Sequence, residues 1–253
     1  MTQFSANLGF LWSDRSLVDA IHAAHDAGFD AVECHWPYEH DPADVKAALD
    51  DTGLPMLGLN TPRGDVAAGD NGLAALSGRR DEARAAIDRA IAYAGAIRTP
   101  NIHVMAGFAE GMPAEACFID NLRYATELAP DITFLIEPLN QHDAPGYFLN
   151  HTDQARRIIE SVGAPNLKLM FDCYHIQILE GDLTRRLKAN LDITGHIQFA
   201  GVPSRGRPDR GEIDYRHVFA HIAEMGYDAP LGAEYKPDSG DTDASLGWMT
   251  TLR

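Results

Sequence analysis

Four short apolar runs in the second half of this chain each lead to a polar, oxygen-bearing side chain, and that recurrence constrains the fold most. Residues 132–136 run into Glu137, and residues 167–171 run into Asp172. A strand-like run around His196-Ile197 carries Gln198, and residues 230–233 run into Glu234. Apolar runs of this length read as strands buried on both faces of a parallel sheet. The four polar residues recur about every 30 residues, the length of one strand-plus-helix unit, so they should converge at one end of that sheet. The carboxyl ends of parallel strands are where α/β proteins place their chemistry. Taken alone, Asp172 reads equally well as the cap of the helix that follows it, and only the repetition favours a site. Three carboxylates brought together repel unless a cation lies between them. Glu, Asp, Gln and Glu are hard oxygen donors that suit Mg²⁺ or Mn²⁺, so a metal centre built from strand ends is the leading expectation.

The rest of the chain supplies matching units. Strands are expected at residues 3–10, 30–34, 55–59 and 101–105. The first helix opens at Ser13 or Asp14 and stops at Gly28, and the second starts at Asp41-Pro42 and stops at Gly53. An Ala-rich helix covers 79–97, and another runs from Pro113 to about Ala129. Thr152 is the expected cap of a helix ended by Gly163. The helix after Asp172 breaks at Gly181-Asp182 and restarts at Thr184, Asp214 caps a helix that Gly226 ends, and a short last helix holds Leu246 and Trp248. The loop from Asn60 to about Gly78 is long enough to be either functional or disordered. Eight strands alternating with helices, with no linker or composition break, make an α/β protein with a single (β/α)₈ TIM barrel over residues 1–253. A doubly wound open sheet is the alternative, but no G-x-G-x-x-G follows the first strand.

Composition narrows the function classes. The chain is 45% hydrophobic and 23% charged, ordinary for a globular protein. No apolar run approaches the roughly 18 residues that span a bilayer, so no membrane partner is expected. The N-terminal stretch lacks a basic start and a small-residue cleavage site, so no export signal is expected. Cys34, Cys117 and Cys173 have no metal-type spacing and read as free thiols of a cytoplasmic enzyme. A formal charge of −16 argues against nucleic acid as a partner, while leaving room for a local basic pocket that takes a small anion.

Further segments carry a family resemblance: NTPRGD at 60–65, IHVMAG at 102–107, IEPLN at 136–140 and PGYFLNHTDQA at 145–155. They continue with VGAPNLKLMFDCYHIQILEGDLT at 162–184, GHIQ at 195–198, RGRPDRGEIDY at 205–215 and GAEYKP at 232–237. In their order and number these resemble the hydroxypyruvate isomerase family, within the xylose-isomerase-like barrel superfamily that also holds ketose epimerases and endonuclease IV. The resemblance covers nearly the whole chain. It implies that Glu137, Asp172, Gln198 and Glu234 bind one divalent cation, Mg²⁺ or Mn²⁺, and that Glu137 and Glu234 also move protons. The position of Gln198 is His in many epimerases of the superfamily, and the harder amide oxygen leans toward Mg²⁺. The implied reaction converts hydroxypyruvate to tartronate semialdehyde through an enediolate, in glyoxylate or sugar-acid metabolism, with the cation stabilising the negative charge. A 2-oxo-tetronate isomerase or a small-ketose 3-epimerase is the nearest alternative. A non-catalytic or endonuclease-like barrel is further off, since nuclease relatives use a histidine-rich cluster of several metals.

The substrate side is less sharply marked. His175 could donate to a substrate oxygen or be a helix-start histidine satisfied by backbone. Lys236 could hold a substrate carboxylate or lie on the surface. Arg205 and Arg207 sit in a loop at the active end, where an arginine could close over an anion or stay solvated. His103 is expected to pack or to orient a ligand, Asn60 and Arg63 to line the pocket, and Cys173 and Trp36 to be structural. The partner is then a small anionic 2-oxo acid, and a homo-oligomeric assembly is left open.

Overall fold

The computed structural model describes residues 2–253, and among these eight parallel strands alternate with helices. In chain order the first half holds β1 (Phe4–Asn7), α1 (Leu17–Asp26), β2 (Ala31–Glu33), α2 (Pro42–Thr52), β3 (Gly58–Asn60), α3 (Arg80–Ile97), β4 (Asn101–His103) and α4 (Gly111–Leu128). The second half holds β5 (Thr133–Ile136), α5 (Thr152–Val162), β6 (Leu167–Asp172), α6 (Cys173–Leu179), α7 (Leu183–Asn190), β7 (Thr194–Phe199), α8 (Tyr215–Glu224) and β8 (Leu231–Ala233). Two single-turn helices, α9 (Thr242–Ser245) and α10 (Met249–Leu252), end the chain. The strand order β2-β1-β8-β7-β6-β5-β4-β3 is that of a barrel, with all ladders parallel. It closes where Val32 N donates to Pro55 O at 3.0 Å and Leu57 N donates to Val32 O at 2.7 Å. No helix among the described residues is long and apolar enough to cross a membrane.

Local chemistry explains the element ends. Asp41 accepts from Ala43 N with Pro42 at the first helical position, and Gly53 closes α2 in the left-handed region. Asp214 caps α8 by accepting from Arg216 N and His217 N, as the sequence indicates. Several expected starts move, among them that of β3, which begins at Gly58 rather than at residue 55. The first helix opens two or three residues late, with Ser16 as its cap, because Leu8–Arg15 folds into turns pinned by Trp12. Trp12 N donates to Thr242 Oγ1 at 2.7 Å, and its indole Nε1 donates to Asp243 Oδ1 at 2.8 Å. α4 begins at Gly111, two residues before Pro113, since a first helical turn needs no N–H from proline. His151, not Thr152, caps α5; Thr152 instead donates its Oγ1 to the Glu180 carboxylate at 2.9 Å. α7 begins at Leu183, one residue before Thr184. The long loop after β3 is ordered: Gly72, at φ +111°, lies so close to Met105 that a Cβ would sit 2.7 Å from its backbone.

Aromatic packing fixes the strands that carry the site. Trp248 is fully buried, with its ring centroid 5.0 Å from that of Phe4 and 5.5 Å from that of Phe199. Phe199 in turn meets Phe219 at 4.9 Å. Trp248 Nε1 donates to Tyr235 Oη at 3.1 Å, so the buried indole keeps a partner. One ring thereby couples the C-terminal turns to β1, to the end of β7 and to the residue after Glu234. Trp248→Ala should destabilise the protein by about 3–5 kcal/mol, as for other buried aromatics removed from cores. Urea unfolding measures this, and a loss below about 1 kcal/mol would contradict the assignment.

Candidate active site

Each barrel strand delivers a polar side chain within one residue of its carboxyl end: Asn7, Glu33, Asn60, His103, Glu137, Asp172, Gln198 and Glu234. All of these except half-buried Asn60 are buried, and Asp172 is fully so. Glu137 and Asp172 lie together with His175, with one donor atom of each within 4.8 Å of the others. His103 Nδ1 is 3.6 Å from Glu137 Oε2, which places His103 beside the carboxylate rather than in packing alone. Glu234 stands on the other side of Arg205, whose Nη2 donates to Glu234 Oε2 and lies 3.6 Å from Asp172 Oδ2. The Glu234 Oε1 atom receives Asn7 Nδ2 at 3.1 Å and lies 2.8 Å from His35 Nε2.

Several buried atoms among the described residues have no hydrogen-bond partner, and they include Glu137 Oε1, Asp172 Oδ2 and Gln198 Oε1. Buried oxygens left without donors are costly unless something else satisfies them, and three hard acceptors fit a hard cation. Asp172 shows both of its sequence readings at once: Oδ1 accepts Tyr174 N at 2.8 Å as a helix cap, and Oδ2 is the free atom. His175 differs, because its Nδ1 accepts the Asn140 backbone N–H at 3.0 Å. That assignment leaves the ring proton on Nε2, which lies 3.9 Å from Glu137 Oε1 and 3.7 Å from Asp172 Oδ2. A protonated nitrogen cannot ligate a metal, so in this tautomer His175 Nε2 is a donor beside the two carboxylates and the hard oxygens remain the ligand candidates.

The cationic side of the site is Arg205. Its backbone sits in the left-handed region at φ +54°, and its carbonyl accepts Lys236 N at 2.7 Å. The guanidinium packs 4.9 Å from the Phe10 ring centroid and 5.1 Å from that of Tyr174. Lys236 is exposed, and its Nζ lies 5.5 Å from the same Phe10 ring, on the rim. Arg207 is turned to Asp209 instead. Arg63 stacks 3.8 Å over Trp36, which leans on His35. Cys173 is buried in the core, as the sequence indicates.

The residues that sequence reasoning passes over are Asn7, Glu33, His35 and His196. Glu33 ends Ala31–Glu33, and Asn7 ends Phe4–Asn7, by the same apolar-run-then-polar pattern used for β5 to β8. Applied to all eight strands, that pattern points to both.

Burial and mutual repulsion set the charges. Desolvation, with Glu234 and Asp172 nearby, pushes the Glu137 carboxyl well above the usual range. Burial raises Asp172 to about 7, although Arg205 opposes the shift. Burial works in the same direction on Glu234, but Arg205 and then His35 outweigh it and hold this carboxyl low. Desolvation lowers His103 to about 4. Between 3.8 and about 7, then, the folded metal-free protein keeps a proton on Asp172 that the unfolded chain has released. Its stability should fall as pH rises through that window. Denaturant midpoints of metal-free protein should be lower near pH 8 than near pH 5, and Mn²⁺ should restore the loss. A flat profile would contradict these charge assignments.

Comparison with known proteins agrees with this architecture. The xylose isomerase-like TIM barrel family matches residues 21–252. A 2-oxo-tetronate isomerase of Cupriavidus necator is 46% identical, over 98% of this chain and 98% of its own. A hydroxypyruvate isomerase of Escherichia coli K12 is 39% identical over the whole of both chains. A crystal structure from Brucella melitensis, named as an AP endonuclease of family 2, superposes with a TM-score of 0.95 at 39% identity and full coverage of both chains.

Proposed function

The chain belongs to the xylose isomerase-like TIM barrel family and is an isomerase, and we propose that it interconverts a short 2-oxo-3-hydroxy acid and its 2-hydroxy-3-oxo isomer. Hydroxypyruvate and tartronate semialdehyde are the smallest such pair. The observation that carries the reading is the set of unpartnered buried oxygens on Glu137, Asp172 and Gln198, with Glu234 held by the Arg205 guanidinium. Glu137, Asp172, Gln198 and Glu234 would hold one divalent cation, Mg²⁺ or Mn²⁺. When bound, it supplies Lewis-acid stabilisation of the charge that develops on the substrate oxygens.

The chain's own groups carry the rest. One of Glu137 and Glu234 removes the C3 proton to give the enediolate, and the other assists protonation at C2. They come from β5 and β8, so they can flank a substrate from two sides of the barrel. His175 Nε2–H donates to a substrate oxygen, while Asn140 holds the ring. Arg205, with Lys236 at the rim, takes the substrate carboxylate. His103 orients Glu137, and Asn60 lines the pocket wall. A cytoplasmic location accompanies this reading.

A four-carbon substrate is the second reading, favoured by the 46% identity to the 2-oxo-tetronate isomerase. It needs the same proton transfers and one more hydroxymethyl group in the pocket. The test measures turnover of hydroxypyruvate and of four-carbon 2-oxo acids by metal-stripped protein, before and after Mg²⁺ or Mn²⁺ is restored. Metal-restored turnover of either acid is expected, and the better substrate fixes the chain length. Glu137→Gln and Glu234→Gln should each lower kcat by about 10²–10⁴ with the fold intact. Cleavage of abasic DNA without acid turnover, or wild-type rates in both variants, would contradict the proposal.

A further inference from the structure

A second polar layer lies within the barrel, and its hub is Glu33. Glu33 Oε1 accepts Gln198 Nε2 at 3.0 Å and Asn7 Nδ2 at 3.2 Å, while Oε2 is 2.5 Å from His196 Nε2. Glu33 is on β2 and Gln198 on β7, with β1 and β8 between them in the sheet. The contact spans that gap because Gly232, the register partner of Gln198 on β8, has no side chain. A Cβ at Gly232 would lie 2.6 Å from Glu33 Oε1 and 2.8 Å from Gln198 Cγ. Asn7 extends the same network upward by donating also to Glu234 Oε1.

The two ends of a glutamine amide have nearly the same shape and opposite polarity. A half-turn about the last side-chain bond would present N–H groups where an acceptor is needed. Glu33 removes that ambiguity, since its Oε1 draws the Gln198 nitrogen to itself and leaves Gln198 Oε1 buried and unpartnered. We infer that Glu33 is a positioning residue that locks the Gln198 amide with its oxygen free for the cation, and so controls divalent-cation affinity from outside the ligand set. This rests on the cation reading of the preceding subsection. The role calls for an acceptor oxygen at position 33, which either a carboxylate or an amide supplies.

The experiment is calorimetric titration of Mn²⁺ into metal-stripped wild type, Glu33→Ala, Glu33→Gln, Gln198→Ala and the Glu33→Ala/Gln198→Ala double variant. Glu33→Ala should weaken Mn²⁺ binding about tenfold or more, as outer-shell losses do, while Glu33→Gln stays within about threefold of wild type. In the Gln198→Ala background, Glu33→Ala should add no further loss, because the residue acts through that amide. Should Glu33→Ala not fold, Gly232→Ala probes the same contact from β8 and should also weaken Mn²⁺ binding. Wild-type affinity in Glu33→Ala or Gly232→Ala, or an equal loss with Gln198 already removed, would overturn the inference. Binding by wild type with no effect in these variants defeats this inference alone. No binding by wild type defeats the cation reading as well.

Discussion

Four buried carboxylates at one end of a barrel are the constraint around which this protein is built. Glu33, Glu137, Asp172 and Glu234 are each at most 6% exposed, and Arg205 is the arginine that reaches among them. Buried like charges are tolerated when they are protonated, hydrogen-bonded or neutralised by a cation. The structure uses these devices unevenly, with Arg205 as the cation beside Glu234. Glu234 is ionised against Arg205 and His35, Glu33 is hydrogen-bonded by amides, and Glu137 and Asp172 are pushed toward their neutral forms. The third device fits the oxygens left without a partner on Glu137, Asp172 and Gln198.

The barrel makes this concentration affordable only because the surrounding structure holds each group from behind. Asn140 fixes the His175 ring, Asn7 ties Glu33 to Glu234, and the Trp248 cluster braces the strands that deliver Gln198 and Glu234. Very short strands suffice for this, since β2, β3, β4 and β8 hold three residues each. Register sets which strand-end groups face one another, as in the pairing of Asp172 with Gln198.

The fold was legible because parallel strands and their helices repeat at a length a reader can measure, and because caps such as Asp41 and Asp214 announce helix starts. Boundaries failed where distant contacts set them. Trp12 delays α1 by reaching Asp243, and Glu180 takes the Thr152 hydroxyl from its expected capping role. The four strand-end residues Glu137, Asp172, Gln198 and Glu234 were legible for the same reason as the fold. Glu33 and His35 are not singled out by the sequence reading, because the partners that give them a role lie 165 and 199 positions away in sequence. The double duty of Asp172, one oxygen for the helix and one for the site, is visible only in three dimensions.

The central claim is that these strand ends form a single divalent-cation centre. Its most direct test is anomalous diffraction from a crystal of the protein equilibrated with Mn²⁺. One strong peak bounded by oxygens of Glu137, Asp172, Gln198 and Glu234, with Arg205 withdrawn from Glu234, is the result this account expects. A site that stays empty at saturating Mn²⁺, or a peak held by histidines away from these oxygens, would contradict it.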